Sequence, residues 1–240
     1  MPSENTVAIA NAYWAAHFGC LPEELFAKPF LVITHGADLA DYCGAFALFR
    51  GDAAIASIPS DRAAVLRTLL SGLSDGCSAG GFASALSPVA SKVIGPAYVG
   101  YAATVAPPTY AARALGHGEI TAVRELQQSC DPFEWEHGGG SVESPSSGVF
   151  IDGQLVSLAS YEVWGGTIAH ISVITRRDFR NRGFGRSTVA HVAERAIRAG
   201  LLPQYRTLES NQASIRVAES LGFQYFATSM AVRLDAHPSQ

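Results

Sequence analysis

The chain has 240 residues, of which 48% are hydrophobic and 16% charged, a composition typical of globular proteins that excludes long disordered regions. This length suits one large domain or two small ones, and the formal net charge of −4 argues against a nucleic-acid partner. The four cysteines, at positions 20, 43, 77 and 130, form no CxxC pair, which predicts free thiols in the cytoplasm and neither a metal site nor a disulfide framework.

The first half of the chain alternates helical and strand patterns. Residues 5–19 have helical spacing and lack the basic region of a signal peptide, and no apolar run reaches the roughly 18 residues of a membrane helix. "FLVITH" and "AFALFRGDAAIASIP" predict strands, and "SDRAAVLRTLLSGL" predicts a helix capped by Ser60. The small-residue stretch "SGLSDGCSAGGFASALSPVAS" predicts a loop, and "AYVGYAATV" a strand that ends before Pro107-Pro108.

The second half predicts a mixed α/β layer. After the helix "EITAVRELQQSC" and the loop "EHGGGSVESPSSG", three strands follow, with turns at Asp152-Gly153 and Gly165-Gly166. A helix from about Arg186, the strand "YRTLES", the helix "NQASIRVAESLG" and the strand "FQYFATSMAVRL" complete it. We therefore predict a smaller α/β domain over residues 1–108 and a second domain over residues 109–240.

The stretch "RNRGFGRS" predicts a phosphate-binding turn. It lies between a strand and a helix, whose first N–H groups lack intrahelical partners and attract anions. A Walker A loop would need Lys before Ser187, and a dinucleotide fingerprint would need a third glycine at Thr188. Neither nucleotide motif fits.

Arg180, Gly183 and Gly185 instead fit (Arg/Gln)-x-x-Gly-x-(Gly/Ala), and the chain here resembles the GCN5-related N-acetyltransferases, the GNAT superfamily. "HISVITRRDFRNRGFGRS" resembles that family's central strand, pyrophosphate loop and helix, and "SNQASIRVAESLGF" resembles its later Asn-led helix. The order of the first half also resembles a two-part subgroup with a divergent N-terminal portion. The resemblance implies a mixed central sheet flanked by helices.

The resemblance further implies an acetyl-CoA-dependent N-acetyltransferase. We expect a small-molecule amine as the acceptor, with a protein lysine or N-terminus as the open alternatives. We also expect no metal and no membrane partner, and the sequence is compatible with a homodimer. The acceptor would bind near Glu134, Trp135 and Glu136, in an acidic, aromatic segment beside a glycine loop. The residues implied to bind acetyl-CoA are Val173, Ile174, Thr175, Arg180, Asn181, Arg182, Gly183, Phe184, Gly185, Arg186, Ser187, Asn211 and Ser214.

The catalytic base is left open by the residues, since the strand "TIAHISVIT" has no carboxylate where many relatives carry Glu. A two-residue turn at Gly165-Gly166 would pair Tyr161 with His170 on one face and leave Glu162 on the other. His170 suits a base because its ordinary pKa lies near 6.5, although a buried His bonded to Tyr161 fits equally well. Glu162 is the rival base, or a solvated strand charge.

The general acid is also unassigned. Relatives often carry a Tyr where this chain has Ala218, and Tyr205 and Tyr225 are alternatives between which the sequence does not choose. These departures leave open a second function, a non-catalytic protein that binds acyl-CoA as a sensor or partner-binding module. A hydrolase is disfavoured on two grounds. A nucleophile motif has to follow a strand, and no strand is predicted before "GCSAG". An esterase oxyanion loop has to precede the nucleophile, whereas "HGGG" follows "GCSAG" in the chain.

Overall fold

The structure, a computed structural model, describes residues 2–73 and 75–235. Its helices are α1 (Glu4–Phe18), α2 (Ala63–Leu70), α3 (Ala79–Leu86), α4 (Ile120–Gln128), α5 (Pro132–Gly138), α6 (Phe184–Arg198) and α7 (Gln212–Leu221). Its strands are β1 (Leu31–Thr34), β2 (Gly44–Arg50), β3 (Ala53–Ile58), β4 (Ala90–Tyr101), β5 (Ala112–Ala114), β6 (Ser146–Ile151), β7 (Gln154–Trp164), β8 (Ile168–Thr175), β9 (Leu202–Leu208) and β10 (Gln224–Leu234).

The chain forms two compact units, each assembled from separate segments. Unit 1 comprises the residues up to Thr6, Gly100–Arg206 and Gln212–Gln224. Unit 2 comprises Val7–Val99, Thr207–Asn211 and the chain from Tyr225 onward. The boundary expected at residue 108 stays a prediction.

Unit 2 is a mixed sheet with helices on both faces. Its strand order is β1-β3-β2-β10-β4, with β1 parallel to β3 and the β3-β2-β10 pairs antiparallel. Leu66 and Leu70 of α2 pack with α3 against one face, and Trp14 of α1 stacks on Phe46 at the other, 5.8 Å between ring centroids. Alternation along β2 sends its neighbouring side chains to these two cores.

Unit 1 is also mixed, with the order β9-β8-β7-β6-β5, in which only the β8–β9 pair is parallel. Helices α6 and α4 pack on opposite faces of β7. Ser157 bonds Thr188 of α6 on one face, and Leu158 packs with Val123 and Leu126 of α4 on the other. The predicted mixed α/β fold, with a sheet flanked by helices, is confirmed.

Two sequence expectations in unit 2 have opposite outcomes. Gly51 and Asp52 form the turn between β2 and β3, as predicted. The predicted loop after residue 70 is wrong, because it contains α3. Ser78 caps this helix by accepting a hydrogen bond from the Gly81 N–H, and Phe82 and Leu86 are completely buried. Burial of these two side chains outweighs the weak helix propensity of Gly and Ser.

Candidate active site

The loop between β8 and α6 ends in left-handed backbone conformations that leave the first N–H groups of the helix without helical partners. Asn181 (φ 60°) and Gly183 (φ 85°) have left-handed backbones, and Gly183 directly precedes α6. The first N–H to bond back within the helix is that of Ser187, to the Gly183 carbonyl at 3.1 Å. The N–H groups of residues 184–186 therefore lie before the first helical bond, as an anion site requires. The predicted helix start at Arg186 is corrected to Phe184.

Gly185 allows the loop to lie close against the end of β8. A Cβ at this position would come within 2.9 Å of Thr175 Oγ1, closer than van der Waals contact permits. Thr175 Oγ1 is itself fixed by a 2.9 Å hydrogen bond with Ser157 Oγ. A larger residue at position 185 would thus push the helix start away from the strand.

Two of the loop arginines are engaged within unit 1. Arg180 donates from Nη1 and Nη2 to the two carboxylate oxygens of Glu134, at 2.9 and 2.6 Å, and from Nε to the Thr175 carbonyl at 3.0 Å. Arg186 donates to the Pro107 carbonyl at 3.0 Å. The Arg182 guanidinium lies 5.6 Å from the Phe179 ring centroid.

Ser187 has a structural part in the loop. Its side chain is completely buried, its Oγ donates to the Gly183 carbonyl, and it accepts hydrogen bonds from the N–H groups of Thr109 and Tyr110 at 3.2 and 3.0 Å. These bonds tie the segment after Pro108 to the first turn of α6. Contact of Ser187 with acetyl-CoA stays a prediction.

Strands β8 and β9 separate beside this loop. Their pairing covers only Ile168–Ile171 with Leu202–Tyr205, whereas β8 continues to Thr175 along β7. The Arg176 N–H bonds the Val156 carbonyl at 2.9 Å, and the alternation of an antiparallel ladder then turns the N–H and C=O of Val173 away from β7. Val173 and Thr175 therefore direct their backbone groups to the open edge, and Ile174 directs its own to β7.

Gly138 and Gly139, at the end of α5, lie against the same stretch of β8. A Cβ on Gly138 would lie 2.6 Å from the Val173 carbonyl oxygen, and Ser172 Oγ donates to the Gly139 carbonyl at 3.0 Å. Asp131 caps α5 through the Phe133 N–H at 2.9 Å, and Pro132 occupies its first position. An Asp-Pro pair is a recognised helix start and could have predicted α5 from the sequence.

The three predicted acceptor residues lie on α5 with different surroundings. The Glu134 carboxylate is held by Arg180, which lowers its pKa from the ordinary value. Trp135 packs against the core formed by α4 and β7, including Leu126 and Leu158. Glu136 is exposed.

The hairpin between β7 and β8 corrects the predicted pairing of the catalytic candidates. Its turn has three residues, Gly165 to Thr167, so that Glu162 lies opposite His170 and Tyr161 lies opposite Ile171. The predicted pairing of Tyr161 with His170 is therefore wrong, and these two side chains occupy opposite faces. The added turn residue changes the register by one position, which exchanges the faces.

His170, Glu162 and Trp164 share one face, and Trp164 contacts both of the other side chains. The Trp164 and His170 rings stack with centroids 3.8 Å apart and planes 9° apart, and Trp164 Nε1 donates to Glu162 at 3.4 Å. His170 Nδ1 lies 2.9 Å from Oε1 of Gln204. Burial lowers the pKa of His170 to about 4, while the hydrogen bond to Gln204 and the Glu162 charge act in the opposite direction. Sequence reasoning did not identify Gln204.

The helix α7 carries no phenol at the expected position, since Ala218 is completely buried there. Tyr205 on β9 lies 2.9 Å from Ser214 Oγ of α7, and burial raises the pKa of its hydroxyl. Tyr225 is about half exposed and belongs to unit 2, as does Asn211. The roles of Asn211 and Ser214 stay predictions.

Two kinds of feature are absent from the described residues. Within residues 2–73 and 75–235, no helix combines the length and apolar character needed to cross a bilayer. Over the same described residues, His, Cys, Asp and Glu side chains form no group of three that could hold a metal ion.

One known protein family matches the part of the chain that contains this loop. Residues 129–228, which span β6 to β9, α6 and α7, match the family model described as GNAT acetyltransferase. The match covers less than half of the chain, and it shows that this part is similar to the GNAT acetyltransferases. No curated protein matches the sequence.

Two solved structures are similar to this chain. A GNAT-family acetyltransferase from Colwellia psychrerythraea is similar over 98% of both chains, with 12% identity and a TM-score of 0.55. A putative GNAT acetyltransferase from Novosphingobium aromaticivorans is 23% identical over 61% of this chain and 67% of its own, with a TM-score of 0.48. The similarity to the Colwellia protein shows a shared fold over nearly the whole chain.

Proposed function

We propose that this protein is a GNAT acetyltransferase that moves the acetyl group of acetyl-CoA onto a primary amine of a small molecule. The proposal depends on one observation, that the start of α6 and the open edge of β8 lie at the same end of that strand. The α6 N-terminus offers unpaired N–H groups there, and the strand offers an open edge at Val173.

The α6 start suits the diphosphate of acetyl-CoA. The N–H groups of residues 184–186 can donate to phosphate oxygens, and the helix dipole favours negative charge at that point. Because Arg180 and Arg186 already have protein partners, backbone donors carry most of this recognition. The fit therefore depends on the conformation of Gly183 and the close approach at Gly185.

The open edge of β8 suits the pantetheine arm and its thioester. The Val173 N–H and C=O are positioned to bond an extended amide chain as a neighbouring strand would. A backbone N–H at this edge would also stabilise negative charge on the thioester oxygen as the amine attacks. The amine nitrogen then bonds to the acetyl carbon, the C–S bond breaks, and CoA leaves as the thiolate.

His170 is the proposed proton acceptor. It is neutral at neutral pH, since its pKa of about 4 lies well below 7, and Glu162 opposite it can attract the proton onward. Tyr161 faces the other side of the sheet and takes no part in this proposal. Tyr205 is the proposed donor to the thiolate, because its buried hydroxyl stays protonated and reaches α7.

The test is calorimetric titration of the purified protein with acetyl-CoA, with ATP as the control ligand, followed by thiol-release assays against a panel of primary amines. We expect binding of acetyl-CoA and turnover of at least one amine. Binding without turnover would favour the acyl-CoA sensor, consistent with Ala218 replacing a phenol. Absence of binding would contradict the proposal.

The variant Gly183→Asp examines the loop directly. A side chain at φ 85° strains the backbone, and the added carboxylate repels a diphosphate, so we expect acetyl-CoA affinity to fall by at least about tenfold. Gly153→Asp is the matched control, since Gly153 (φ 80°) lies in the β6–β7 turn with open space around it. Equal affinities of the two variants would refute the diphosphate assignment.

A further inference from the structure

Gln204 is a polar side chain in the buried middle of β9. None of its surface is exposed, and a buried amide is costly unless both of its ends are hydrogen-bonded. Both ends are satisfied here, since Nε2 donates to the Tyr101 hydroxyl oxygen at 2.6 Å and Oε1 lies 2.9 Å from His170 Nδ1. The parallel register places Gln204 directly beside His170.

This orientation of the amide determines which His170 nitrogen carries hydrogen. Because Gln204 uses its N–H group on Tyr101, the atom that faces His170 is a carbonyl oxygen, which only accepts hydrogen bonds. With the amide in this orientation, His170 Nδ1 is the donor. A neutral imidazole has one N–H, so Nε2 retains its lone pair, and in the described part of the chain it makes no hydrogen bond.

We propose that Gln204 is a positioning residue that holds His170 in the Nδ1–H tautomer and so leaves Nε2 free to accept the proton of the acceptor amine. The inference rests on the proposed N-acetyltransferase function, in which His170 is the base. The stacked Trp164 ring prevents rotation of the imidazole out of this arrangement. A base needs this kind of support because its lone pair must face the reacting proton.

Charged groups around His170 determine how a change at Gln204 would act. Glu162 faces it from β7 and raises its pKa, whereas Arg206 on β9 lowers it, and neither bonds Nδ1. Gln204→Glu replaces the amide with a carboxylate of nearly equal size. A carboxylate beside Nδ1 favours the imidazolium, so the pKa of His170 rises in this variant.

The first experiment is nitrogen NMR of protein labelled at its histidine ring nitrogens, with the His170 signals assigned through His170→Gln. We expect Nδ1 to be protonated and Nε2 unprotonated from pH 8 to about pH 5, since the pKa is about 4. His191, whose Nδ1 bonds Ser147 Oγ, serves as an internal comparison. A protonated Nε2 would overturn the proposal, and this result does not depend on turnover.

The second experiment is the pH dependence of kcat/KM. We expect Gln204→Glu to move the acid limb of the profile to higher pH, and Gln204→Met to lower kcat at least about tenfold with acetyl-CoA affinity unchanged. The exposed Gln154→Glu is the control for added charge and should leave the profile unchanged. An unshifted profile in folded Gln204→Glu would refute the positioning role. If the unaltered protein does not bind acetyl-CoA at all, the proposed function is refuted instead.

Discussion

His170 is held neutral by its surroundings, and this has a cost for stability. In the unfolded chain its pKa returns to about 6.5, compared with about 4 in the folded protein, because burial beside Trp164 disfavours the charged ring. The unfolded state therefore binds more protons between these values. Stability contributed by the neutral ring is complete above about pH 6.5 and is lost as the pH falls toward 4.

We expect acid to destabilise the protein less when His170 is replaced by Gln. The difference between the two pKa values corresponds to at most about 3 kcal/mol, so His170→Gln should lose less free energy of unfolding between pH 7 and pH 4.5. Urea denaturation at both pH values measures this. His117→Gln, at an exposed position, is the control, and an identical loss in all three proteins would contradict the burial argument.

At the scale of elements, the Arg180–Glu134 pair links α5, which carries the proposed acceptor residues, to the loop proposed to bind the diphosphate. Both side chains are about 40% exposed, so such a pair contributes only about 0–1 kcal/mol to stability. The Glu134 carboxylate nevertheless occupies the guanidinium that the sequence assigned to the diphosphate. If the loop binds the diphosphate as proposed, the carboxylate and a phosphate would compete for one cation.

Removing this competitor should strengthen binding. We expect Glu134→Gln to increase acetyl-CoA affinity about two- to fivefold, since a neutral amide holds Arg180 less strongly. Glu136→Gln removes the same charge from the same helix without touching Arg180. Calorimetry should separate the two variants, and equal gains would mean that general charge, not the pair, limits binding.

The features that could be predicted from the sequence depend on neighbouring residues, whereas those that were missed depend on contacts made only in the folded chain. The strand–loop–helix unit around Gly183 depends on local signals, and these predicted its place. The three-residue hairpin turn could not be read locally, because Gly-Gly fits either turn length, and the true register follows from burial of Tyr161 and Ile171 on one face. Gln204 was missed for a similar reason, since only the fold brings it beside His170.

At the scale of the whole molecule, the proposed active-site residues fall in unit 1 apart from Asn211, yet unit 1 is not a continuous segment. It includes residues before the predicted boundary at 108. The Ala102 N–H bonds the Pro203 carbonyl at 3.2 Å, and Tyr101 bonds Gln204. A hydrophobic pattern cannot reveal such a division, because contacts that are distant in sequence define it.

We therefore expect a fragment of residues 109–240 to be less stable than one of residues 100–240. The shorter fragment loses Tyr101, which leaves a buried amide hydrogen unpaired, and the backbone bond of Ala102. Thermal unfolding followed by circular dichroism compares them. A shorter fragment as stable as the longer one would support a domain boundary at 108.

The contact between Trp164 and His170 gives the protein an optical reporter of its own proposed chemistry. Indole fluorescence is quenched by a protonated imidazole in ring contact, and here the rings lie flat on each other. With Trp14 and Trp135 replaced by Phe, the remaining emission would follow the charge on one histidine. Proton uptake at the proposed base could then be observed in real time, in solution, without labelling or substrate.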